Sequence, residues 1–124
     1  MNSREYLLIV CLVFGLGCST TKQAYSGPKL PPDKVATISS NAPAVIYGLD
    51  GGSVKAKSFE VLPDVHTITV GYWNGTYRSM HSCEISFTAR AGHTYEVYGE
   101  GDWRGTWHCW IEDADTGQRK EGVF

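Results

Sequence analysis

From Lys34 onward the apolar positions alternate in short runs, and no stretch there carries a 3.6-residue period. "VATISS" and "PAVIYGL" are β-branched runs broken by Asn41 and Pro43 and closed by Asp50-Gly51-Gly52. "KSFEVLP" is a third, ended by Pro63-Asp64. "HTITVGYW" meets "TYRSMHSCEISFTA" through Asn74-Gly75, and Asn-Gly between alternating runs predicts a two-residue hairpin loop, because both residues must accept positive φ. That loop sets Trp73 opposite Thr76, Tyr72 opposite Tyr77 and Ile68 opposite His81. Ile68, Val70, Cys83, Ile85 and Phe87 then share one apolar face. Ala91-Gly92-His93 suits a three-residue hairpin loop, pairing Ala89 with Tyr95 and Phe87 with Val97. The last run, "TWHCWIED", puts Trp107, Cys109 and Ile111 on one face. The pattern predicts an all-β domain over 34–124, a small antiparallel β-sandwich of about seven strands.

The N-terminus is patterned differently. "MNSREY" is charged and "LLIVCLVFGLG" is apolar. These eleven apolar residues, as a helix, span roughly 16 Å, about half a bilayer core, which suits a cleaved signal over 1–17 better than a membrane span. After it, "STTKQAYSGPKLPPD" has three prolines and little apolar content, so 18–33 reads as a flexible tether, about 50 Å long when extended.

"FGLGCST" resembles the lipobox of bacterial lipoprotein signals. The resemblance implies cleavage after Gly17 and a diacylglycerol on Cys18, with Ser19 at the position that sorts such proteins to the outer membrane. Gly15 departs from the Leu most often found there. "VIYGLDGG", "EVLPDVHTITVGYW" and "CEISFTARAGHTYEV" resemble small envelope lipoproteins and PEGA-type surface β-domains across roughly residues 34–113. Asp64-Val65 departs from that pattern, which has Gly before the His. These motifs are turns and core positions, so they imply a fold and an envelope location and transfer no catalytic residue.

Charge and cysteines narrow the function. A net charge of −2, with Lys and Arg scattered singly, argues against nucleic acid as a partner. Cys11 lies inside the signal. Cys83 and Cys109 both fall on inward positions, in a compartment that would be oxidising, and are expected as a disulfide; two separate buried thiols are the alternative. His81, Cys83 and Cys109 could converge as a metal or thiol site, but adjacent His108 and Cys109 point to opposite faces of a strand, and the usual paired-ligand spacing is missing. Asp113 and Asp115 read as a solvated turn.

Three of the four tryptophans lie in "GEGDWRGTWHCW". Trp107 has core parity and Trp110 outer-face parity. Trp103 and Arg104, between Gly101 and Gly105, read either as a lid over the sandwich end or as a binding tip. The expectation is a non-enzymatic envelope lipoprotein, structural or partner-binding, held in the outer membrane by acylated Cys18 and facing the periplasm, with no cofactor or metal. Its partner would be an envelope protein or a glycan. A glycan- or peptidoglycan-binding module using Trp103 and Arg104 is the alternative, and a metal or thiol site at His81, Cys83 and Cys109 the third reading.

Overall fold

A computed structural model describes residues 21–102 and 104–124, and Cys18 and Trp103 therefore lie outside the described residues. Ten strands form two sheets packed face to face. In chain order they are β1 (Lys22–Gln23), β2 (Ala36–Ser40), β3 (Ala44–Leu49), β4 (Gly52–Ser53), β5 (Ser58–Val61), β6 (Val65–Tyr72), β7 (Cys83–Thr88), β8 (Thr94–Gly101), β9 (Trp107–Asp113) and β10 (Arg119–Glu121). The larger sheet runs β1-β5-β2-β8-β9-β10 and the smaller β4-β3-β6-β7. Seven of the ten are four residues or longer, and these are the seven that alternation marks.

Alternation builds the core. β7 and β9 bury every second residue, Cys83, Ile85 and Phe87 on one and Trp107, Cys109 and Ile111 on the other. These meet Ile38, Phe59, Val61, Ile68, Val70 and Val97, each wholly buried. Burying a side chain of this size contributes about 1.5–3 kcal/mol, so the inter-sheet space is the main source of stability.

Neighbours differ from the sequence expectation in three places. Val70 pairs with Cys83 and Ile68 with Ile85, so Ile68 is not opposite His81. Asn74 Oδ1 accepts the N–H groups of Thr76 and Tyr77, and the Asn74 N–H donates to Tyr77 O, which widens the loop to Asn74–Tyr77. The Trp73–Arg78 bridge closes it. The slip is an even number of residues, so the apolar face is kept. A two-residue loop with both residues at positive φ does occur, at Asp50 (φ 50°) and Gly51 (φ 84°) between β3 and β4.

The second difference is larger. β7 and β8 are not a hairpin: β7 pairs with β6, whereas β8 lies between β2 and β9 in the other sheet. Residues 89–93 arch from sheet to sheet, held by Gly92 N–H to Val35 O and by Thr37 N–H to His93 O. Phe87, expected beside Val97, instead faces Tyr95 across the core, with ring centres 5.1 Å apart. Because β2 leaves through Asn41–Pro43 to the opposite sheet, its free side takes β8 in parallel, and the sandwich is not wholly antiparallel.

Third, the expected tether is docked from Lys22 onward. β1 pairs in parallel with β5, Lys22 beside Phe59 and Gln23 beside Glu60. The Ala24 N–H donates to Glu60 O at 2.9 Å, and Tyr25 Oη accepts the Leu30 N–H at 2.8 Å. Composition misses this because the attachment uses backbone groups, which any residue but proline supplies in full.

A C-terminal strap closes the opposite side. The Gly122 N–H donates to Cys109 O, Val123 and Glu84 exchange two backbone bonds, and Phe124 sits edge-on to Trp107.

Candidate functional site

One end of the sandwich gathers the β6–β7 loop and the β8–β9 loop around three rings. Tyr72 ends β6 and lies 5.8 Å from Trp107 and 6.2 Å from Tyr77, centre to centre. Trp107 is core-facing and buried, Tyr72 half-buried, and Tyr77 exposed. They line a cleft of ≈ 380 Å³ together with Asn74, Asp102 and Arg104.

Local chemistry explains why the loops stand where they do. Asp102 Oδ1 accepts the N–H groups of Arg104 and Thr106, and Gly105 takes φ 82° to complete the turn. The Tyr77 hydroxyl donates to Gly105 O at 3.4 Å and links the two loops. The two glycines have different reasons here: a Cβ at Gly101 would lie 2.9 Å from Tyr72 Cζ, whereas Gly105 is required by its positive φ. Asn74 Nδ2 and Asp102 Oδ2 make no hydrogen bond among the described residues, so a donor and an acceptor stay available beside the rings.

The sequence-selected residues separate as follows. Arg104 is exposed in the cleft-lining loop. Cys83 and Cys109 are bonded to each other, Cα to Cα 6.3 Å, and both are wholly buried. As a disulfide they offer neither a thiolate nucleophile nor a thiolate ligand. His81 is exposed in the β6–β7 connection, and His108 stacks on Trp110, 5.1 Å away on the outer face.

Sequence reasoning missed a cluster at the other end of the sandwich. Ligand atoms of His93, Asp113 and Asp115 lie within 4.8 Å of one another. His93 Nδ1 meets Asp113 Oδ2 at 2.8 Å, Asp113 Oδ1 accepts the N–H groups of Asp115 and Thr116, and Asp115 Oδ2 accepts that of Thr94. Burial pushes the Asp113 carboxyl up, but the His93 bond and the two backbone N–H groups outweigh it and hold the pKa below its ordinary value. Asp113 is not solvated: it is buried and clamps the β7–β8 arch to the end of β9. The signal was present, since Asp113 continues the parity of Trp107, Cys109 and Ile111. A chain of contacts on the outer face also went unread, in which Arg119 lies 4.1 Å over Trp110, and Trp110 stacks on Tyr98.

Comparison with protein-family models, with curated proteins and with solved structures finds no match to this chain.

Proposed function

We propose that this chain is a membrane-anchored bacterial envelope lipoprotein whose β-sandwich is a non-enzymatic partner-binding module. The observation that carries the binding part is the loop-end cleft, where Tyr72, Tyr77 and Trp107 meet the Asn74 amide nitrogen and the Asp102 Oδ2, which make no hydrogen bond among the described residues. Aromatic rings at a rigid loop end supply contact area at little entropic cost, and such residues dominate interfaces. The lipobox-like "FGLGCST" supports the anchor, and a buried disulfide suits an oxidising compartment.

The anchor is tested by intact mass of the protein from its membrane. Wild type should begin at Cys18 with acyl chains, and Cys18→Ser should accumulate as precursor. A wild type without acyl mass refutes the anchor.

The same cleft favours a second reading in which the occupant is a glycan. Sugar rings present C–H faces to aromatic rings and hydroxyls to groups such as Asn74 Nδ2 and Asp102 Oδ2. Capture on insoluble peptidoglycan separates the two readings. Tyr77→Ala and Arg104→Ala should each weaken capture about tenfold or more with little loss of melting temperature if the glycan reading holds. Unchanged capture by both variants removes it.

A further inference from the structure

The distance between the anchor and the folded domain is short. Only Ser19 and Thr20 separate Cys18 from Thr21, where the described chain begins, and three extended residues reach about 10 Å at most. β1 follows at once and is tied to β5. Thr21 and the start of β1 therefore stay within about one Debye length of the surface that holds Cys18.

The side of the sandwich bounded by β1 and β4 is basic. Of the six lysines, Lys22, Lys29, Lys55 and Lys57 lie on or beside β1, β4 and β5, while Lys120 is on β10 at the far edge of the larger sheet. Five strand spacings separate those edges, roughly 24 Å. Lys29 is taken by Glu60 at 3.7 Å, which also neutralises that carboxylate. Lys22, Lys55 and Lys57 form no ion pair among the described residues. Of two other nearby acids, Asp50 holds His66 and the Thr67 N–H, and Glu96 keeps its charge while accepting the neutral Asn41 amide.

The three lysines surround apolar surface. Lys55 and Lys57 flank a groove of ≈ 660 Å³ lined by Ala44, Val45, Tyr47 and Val54, and Lys22 shares a neighbouring depression with Val54. Val45 and Tyr47 are 36% and 43% exposed, and β3 bulges at Tyr47. Cationic tips around an aromatic and aliphatic strip match the chemistry of a lipid headgroup boundary.

We infer that this β1–β4 side, with Lys22, Lys55, Lys57 and the Val45–Tyr47 groove, docks on the anionic lipid surface of the membrane carrying Cys18. The inference rests on the lipid-anchor reading above. Acylation fixes the protein to the bilayer, and the lysines select which face turns toward it.

The test uses full-length acylated protein on vesicles of phosphatidylglycerol and phosphatidylcholine, on vesicles of phosphatidylcholine alone, and in detergent. A membrane-impermeant amine reagent is followed by peptide mass spectrometry. On anionic vesicles Lys22, Lys55 and Lys57 should react about fivefold more slowly or less, relative to detergent, with Lys120 unchanged. Reaction of all four at one rate on vesicles that carry the floating, acylated protein overturns the docking and leaves the anchor standing. Equal protection on both vesicle types overturns the recognition of anionic headgroups. Protection seen only in native envelope, never on lipid alone, assigns this face to a protein and overturns it too. Absence of acyl mass overturns docking and anchor together.

Discussion

Asp113 does at one position what would otherwise need several side chains. Its carboxylate receives His93 from the β7–β8 arch and two backbone N–H groups from its own turn, and it is 5% exposed. Its pKa in the folded state lies below the ordinary value of 3.8, despite the burial that pushes it up, because His93 and the backbone donors favour the charged form. The stabilisation is therefore complete above about pH 4 and is lost as pH falls through the depressed value. Asp113→Asn should melt earlier at neutral pH, by about 1–3 kcal/mol, since it leaves a buried network half-satisfied. Its melting temperature should also fall less steeply with acid than that of wild type. Coincident acid slopes in a pH series of thermal melts would show that this carboxylate is not the responsible group. Asp50, likewise held below its ordinary value against its burial by His66 and the Thr67 N–H, would then be the next to replace.

Among the elements, β9 and the loop before it are where stability and the proposed binding can be tested apart. Trp107 packs against Tyr72 and Phe124, so Trp107→Ala should cost about 3–5 kcal/mol in chemical denaturation. Trp103→Ala should leave the melting temperature nearly unchanged while weakening partner capture; unfolding as severe as that of Trp107→Ala would make the loop a lid. What alternation reveals is the face of a residue, never its neighbour. Parity placed Trp107, Cys109 and Phe87 inward, and they are inward. It could not distinguish Phe87 beside Val97 in one sheet from Phe87 facing Tyr95 across two, because both satisfy the same alternation. Nor could it see that the Asn74 side chain would capture two N–H groups and widen its loop. The cleft was half legible for the same reason. Arg104 was marked by its glycines, but Tyr72 and Tyr77 join it only through tertiary placement of the β6–β7 loop.

For the molecule as a whole, the Cys83–Cys109 bond is a covalent cross-link between sheets that are also joined by packed side chains and by the backbone bonds of the C-terminal strap. It closes a separation of 26 residues, worth about 3–4 kcal/mol in the chain-entropy model. The Cys83→Ala/Cys109→Ala double variant should lose about that much in denaturant titration; a loss below about 1 kcal/mol would mean that this link restricts the unfolded chain little. Its position also governs time. A thiolate must reach a sulfur to exchange with it, and here both cysteines are wholly buried, with the strap covering the bond from the side. Gly122 crosses directly over both sulfurs with no room for a side chain, pinned by Cys109 O on one side and by the Glu84–Val123 bonds on the other. Reduction in the folded state must wait for the strap to lift. Its rate should climb with reductant and then level off at the opening rate, and removing residues 122–124 should abolish the plateau, so three terminal residues would serve as a clock on the bond beneath them.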